Sequence, residues 1–180
     1  MLGSHGIIGK ILALPMFILV IALARLAGGF LRGRKKPVLR ILLSVEVALL
    51  VAFFALAVRF GPFPNPDSPA ALLTGFAGIA AMALQNALQR VHLSSLPPTT
   101  LMTGSTTQAT IDLVDLISGA DPQNAAAIRA RFGRLSLSIL YFAAGCATAA
   151  TLFWFVGFWC LALAVIVGAA AALMRAEAAP

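Results

Sequence analysis

The chain has 180 residues, 61% of them hydrophobic and 11% charged, with a mean hydropathy of +0.97. Soluble domains carry about 25% charged residues, so a soluble globular fold is excluded and an all-α, polytopic membrane bundle is expected. The formal charge of +7, from 13 Lys+Arg against 6 Asp+Glu, falls in short segments between apolar runs. That is the pattern of the positive-inside rule rather than of a nucleic-acid surface.

Residues 1–10 are short and glycine-rich. Ile11 to Leu31 forms a first candidate span of 21 residues, near the length a bilayer requires. The cluster Arg32, Arg34, Lys35 and Lys36 follows at once. The segment therefore reads as an anchored helix rather than a cleaved signal peptide, although Lys10 and Ala22-Leu23-Ala24 resemble signal features. Val38 to Phe60 is the second span, interrupted by Glu46. The connection from Gly61 to Pro69 holds four prolines and no base, as expected on the outer side. Ala70 to Val91 is the third span, with Gly75, Gly78, Met82, Gln85 and Gln89 expected along one helical face. Small residues let another helix approach closely, and amides can hydrogen-bond across such a seam.

Segment 98–118 is polar. After it, Asp121-Pro122 reads as an N-cap followed by proline at the first helical position. The helix so opened carries Arg129, Arg131 and Arg134 and is expected at the membrane interface. Leu135 to Phe153 and Phe158 to Met174 are the last two spans, with Trp154 and Trp159 flanking the turn between them.

Charge decides the expected topology. With the 32–40 loop inside, the third span brings Arg90 inside as well. If segment 98–118 crossed the membrane fully, Arg129, Arg131, Arg134 and Arg175 would all lie outside, against the positive-inside rule. If it dips in and returns, all four lie inside. The expectation is thus about five transmembrane helices plus one polar re-entrant or broken helix. Irregular backbone at membrane depth needs cover from protein or a watery cavity.

Leu14-Pro15-Met16-Phe17 with Ala22 and Ala24 echoes Ile139-Leu140-Tyr141-Phe142 with Gly145 and Ala149. This predicts a single integral membrane domain over 1–180, built as a truncated inverted repeat with halves 1–69 and 70–180. On Ala81-Met82-Ala83-Leu84-Gln85-Asn86-Ala87, Pro98-Thr99-Thr100, Thr103-Gly104 and Leu14-Pro15-Met16-Phe17, the chain resembles the YoaK family over essentially its whole length. The resemblance implies a bacterial multipass membrane protein of uncharacterised biochemical function, in the cytoplasmic (inner) membrane. The family's usual sequence begins with a further helix and a Thr-Gly-Asn element, both missing here.

Within segment 98–118, a helical wheel puts Thr99, Thr103, Thr106, Thr107 and Thr110 on one face and Ser105, Gln108, Asp112 and Asp115 on the other. The threonines can bond their own helix carbonyls. Alternatively, Thr99, Thr100, Thr103, Gly104, Thr107 and Asp112 form a substrate site completed by Gln85, Asn86 and Gln89. Pro97 and Pro98 predict a broken, non-helical entry over Thr99 to Gly104. Arg25 and Glu46, at nearly matching depths in antiparallel helices, are expected to form an intramembrane ion pair.

Cys146 and Cys160 read as packing residues, and His5 and His92 lie far from them in sequence, so no metal site is expected. There is no His-Glu-x-x-His helix, no phosphate-cradling glycine loop and no Cys/His pairing, so neither catalysis nor a cofactor is expected. Two functions follow: a small-solute or ion permease, or a non-catalytic membrane scaffold or accessory subunit. The partners expected are the lipid bilayer and a small solute or ion, with self-association left open and nucleic acid excluded.

Overall fold

The computed structural model describes residues 6–92, 102–119 and 122–177. The described residues are almost entirely helical: α1 (Ile7–Gly33), α2 (Val38–Phe60), α3 (Pro69–His92), α4 (Met102–Ile117), α5 (Pro122–Val156) and α6 (Leu161–Glu177), with a 3-10 turn over Gly157–Cys160 between the last two. The protein is an all-helical membrane bundle. Among the described residues, four stretches are long and apolar enough to span a bilayer: Ile7–Gly33, Val38–Phe60, Pro69–Val91 and the 51 residues Asn124–Met174.

That last stretch departs from the expected pattern. The anticipated interfacial helix and fourth span are one continuous helix, α5, of 35 residues. A helix of that length measures about 52 Å, longer than the hydrocarbon core of about 30 Å. Between Pro122 and Val156 no proline or left-handed glycine interrupts the chain, so nothing local ends the helix where the arginines give way to apolar residues. The break comes at Gly157, whose φ is +57°, a conformation that suits glycine because it has no Cβ.

The chain divides into two compact units, residues 1–92 with 152–180, and residues 93–151. The expected repeat boundary between 69 and 70 falls inside the first unit, between two helices that pack on each other.

In the first unit α2 is central, packing against α1, α3 and α6, while α1 also packs on α3. Ala24, Val38, Leu42, Leu84 and Leu88 form a buried cluster drawn from three helices. Lipid is as apolar as these side chains, so close fit rather than water exclusion holds the helices together. Small residues supply that fit. A Cβ at Gly78 would lie 3.2 Å from the Phe53 ring, and one at Gly168 would lie 2.9 Å from Leu50 Cδ1.

Local chemistry sets the ends of the helices. Ser68 caps α3: its Oγ accepts from the Ala71 N–H at 3.2 Å, with Pro69 at the first helical position. Gly6, at φ +85°, opens α1 without a side-chain cap of its own. The cap comes from Asp67 in the α2–α3 connection, whose carboxylate accepts the Gly6 N–H at 3.0 Å and the Gly9 N–H at 3.5 Å. An Asx turn holds Asp67 in place, its N–H donating to Asn65 Oδ1 at 3.0 Å. At the other end of α1, Lys36 N–H donates to Leu31 O at 3.0 Å and Lys35 N–H to Arg32 O at 2.9 Å, a Schellman stop before Pro37.

In the second unit, α4 is a 16-residue helix and is not among the four candidate spans. The α5 residues of this unit are largely exposed, including every residue from Leu140 to Thr151.

Candidate functional site

The residues expected to form a substrate site fall in both units. Gln85, Asn86 and Gln89 lie on α3 in the first. Thr103, Gly104, Thr107 and Asp112 lie on α4 in the second. Thr99 and Thr100 are outside the described residues.

On α3 the three amides are half-buried. The Asn86 Nδ2 donates to Met82 O at 2.8 Å, one turn back along its own helix. The expected seam through Gly75 and Met82 is not the packing face: Met82 is 44% exposed, and a Cβ at Gly75 would meet nothing within 4 Å. The buried face instead runs through Thr74, Ala81, Leu84 and Leu88. Leucine and alanine fill the space between helices, whereas a glycine packs well only where a partner enters its groove, as Phe53 does at Gly78.

The expected non-helical entry over Thr99 to Gly104 is corrected in its last part, because Met102, Thr103 and Gly104 form the first turn of α4. Proline bars helix at its own position and biases the residue before it. Pro98 is far enough upstream that residues from 102 onward are unaffected.

On α4, Ser105, Ala109 and Asp112 form the buried stripe, following i, i+4, i+7 spacing. Thr103, Gly104, Thr106, Thr107 and Thr110 are exposed on the other side. The two-faced pattern seen in sequence is therefore real, but two of the threonine hydroxyls have local partners. Thr107 Oγ1 donates to Thr103 O and Thr110 Oγ1 to Thr106 O, each at 2.9 Å. These are the i−4 back-bonds by which a hydroxyl satisfies itself without leaving its helix.

Asp112 is the chemically distinctive residue. It is completely buried and accepts three hydrogen bonds. Gln108 Nε2 donates to Oδ1 at 2.8 Å. From α5, Arg131 Nε donates to Oδ2 at 2.9 Å and Nη2 to Oδ1 at 2.6 Å. The Arg131 side chain is 47% exposed, so a guanidinium reaching water at one end holds a buried carboxylate at the other. The hydrogen bond from Arg131 is the largest influence on the Asp112 carboxyl and holds it below its ordinary range, against the opposing effect of burial. Asp115, one turn further on, is exposed.

The role of Gln108 was legible from its i, i+4 spacing to Asp112. That of Arg131 was not, since it lies 19 residues away across a turn. The expected pair of Arg25 and Glu46 does not form. Ala24 and Gly28 are the buried residues of α1, which turns the neighbouring Arg25 outward, while Glu46 is buried on α2. The one salt bridge among the described residues is Arg131–Asp112.

Both cysteines are free, Cys146 exposed and Cys160 half-buried. Among the described residues no three His, Cys, Asp or Glu side chains stand close enough together to hold a metal ion. No curated protein and no solved structure matches the chain. A family model does, over residues 2–174, and the chain belongs to that family, DUF1275, a group of membrane-type proteins of unknown function.

Proposed function

We propose that this chain is a non-catalytic small-solute or ion permease in a bacterial cytoplasmic membrane, close to the YoaK proteins within its family. The supporting observation is α4. It is polar on two sides, with exposed Thr103, Thr106, Thr107 and Thr110 opposite a fully buried Asp112. Polar groups are costly in a bilayer and tend to mark a pathway or a watery cavity. Hydroxyls that hydrogen-bond their own helix still present oxygen lone pairs, so they can solvate a passing solute without being freed first.

The back-bonded Thr107 and Thr110 also favour the second reading, a membrane scaffold or accessory subunit. Back-bonded hydroxyls are what a helix needs if it is to pack dry. The discriminating experiment is flux into proteoliposomes, over a panel of small neutral solutes, monovalent cations and anions. A permease gives flux above protein-free vesicles that falls at least several-fold in Thr106→Val/Thr110→Val, with unchanged elution and melting. Absence of flux across the whole panel, together with a partner that co-purifies in fixed ratio, would establish the scaffold instead.

A further inference from the structure

The turn between α1 and α2 carries Arg32, Arg34, Lys35 and Lys36, all exposed, with no acid between Gly33 and Val45. The backbone there holds its cations at a cost. Lys35 has φ +53°, the left-handed position that ends a Schellman stop and that glycine fills with least strain. A lysine at this position gives up backbone stability and places a charge at the tip of the turn. Arg34 is fixed as well, its guanidinium carbon lying 4.3 Å from the centroid of the Phe30 ring, within cation–π range.

Below Arg34 the same face of α1 continues through Phe30, Leu26 and Leu23, at i−4, i−8 and i−11. These three are 60%, 70% and 54% exposed. The stripe is a guanidinium over an aromatic ring over two leucines, and it lies at one end of a helix apolar enough to span the bilayer. A basic cluster directly beside a transmembrane helix attracts anionic lipid, and here an exposed apolar stem about 10 Å long, from Phe30 to Leu23, continues beneath it. We propose that this turn and the Leu23–Leu26–Phe30–Arg34 face form a binding surface for an anionic phospholipid, its phosphate on Arg34 and Lys35 and its acyl chain along Phe30 and Leu26.

Charge complementarity selects the headgroup, and the exposed apolar stem selects a lipid over a free anion. The test uses the full chain in neutral detergent, titrated separately with phosphatidylglycerol, phosphatidylcholine and inorganic phosphate, and read by thermal melting and native mass spectrometry. Phosphatidylglycerol should bind and raise the melting temperature, while the other two should not. Lys35→Gly removes the charge and relieves the backbone, so it should melt no lower than wild type yet bind phosphatidylglycerol about fivefold more weakly, the effect of one surface charge. Lys35→Gly/Arg34→Gln should weaken it about 30-fold, the effect of two such charges. Arg129→Gln/Arg134→Gln, which removes two bases elsewhere, should leave it unchanged. Equal stabilisation by phosphatidylcholine, equal stabilisation by inorganic phosphate, or full binding by the Lys35→Gly/Arg34→Gln protein would each overturn the proposal.

Discussion

Arg131 on α5 grips Asp112 on α4 with two parallel hydrogen bonds, of 2.6 and 2.9 Å, and the two partners differ in exposure. Asp112 has no contact with solvent, whereas about half of the Arg131 side chain does. Removing one partner of a buried pair leaves the other charge uncompensated. Here the penalty is unequal, because an abandoned arginine can turn to water and an abandoned Asp112 cannot.

Arg131→Gln should therefore lower the melting temperature in detergent more than Asp112→Asn does, and the double variant should fall short of the sum. The pH dependence has a definite sign. A carboxylate whose folded pKa is depressed contributes stability that is fully present above its unfolded pKa and is lost as pH falls through the folded one. Asp112 is such a group. The gap between wild type and Asp112→Asn should be constant at neutral pH and close on acidification below the ordinary carboxylate range. Melting curves recorded from neutral to acid pH check this, and a gap that widens in acid would contradict it.

Asp67 should matter for α1 although it lies in a connection 58 residues beyond Gly9. Its carboxylate occupies two N–H groups at the start of α1, where the helix dipole also favours negative charge. Asp67→Ala should cost about 0.5–2 kcal/mol and Asp67→Asn less, since the amide oxygen still accepts. Hydrogen exchange would show the loss as faster exchange of the first turn of α1, with the middle of the helix unchanged.

Two glycines that look alike in sequence should respond differently to alanine. A Cβ at Gly61 would lie 2.6 Å from both Ala57 O and Phe158 Cδ2, pressed between a backbone atom and a ring that itself packs edge-on against Phe63 and Phe153. At Gly168 the nearest atom, 2.9 Å away, is the tip of Leu50, which can change rotamer. Gly61→Ala should destabilise by about 1–3 kcal/mol, and Phe158→Ala should rescue it only in part because the carbonyl remains. Gly168→Ala should be close to neutral. Melting of the three variants in one detergent decides the matter.

The topology inferred from charge puts the 32–40 loop and the start of α5 on the same, cytoplasmic face. In a background lacking Cys146 and Cys160, single cysteines at Lys36 and Arg129 should both resist an impermeant thiol reagent applied from outside intact cells. Both should label after permeabilisation. Labelling of position 129 but not 36 in intact cells would mean that segment 98–118 crosses the membrane completely.

The first three spans were legible almost to the residue. Val38 to Phe60 is both the apolar run and the helix α2, and Ile11 to Leu31 lies inside α1. Hydrophobic length and the placing of proline and glycine are local properties, and in lipid they suffice because a helix satisfies its own backbone. The i−4 back-bonds of Thr107 and Thr110 were equally accessible, since donor and acceptor are one turn apart. What only the tertiary structure decided joins residues distant in the chain: Asp67 with Gly6, Phe158 over Gly61, and Arg131 with Asp112. Composition and periodicity say that Asp112 is polar and that Arg131 is basic. Which arginine reaches which carboxylate depends on where two helices meet, and the fit of side chains in three dimensions sets that. The same reason explains why Arg25 and Glu46 do not pair. Matching depth in two helices is readable from residue counts, but the rotation of each helix about its own axis is set by the residues that it buries, Ala24 and Gly28 on α1 and Val38, Leu42 and Ala57 on α2.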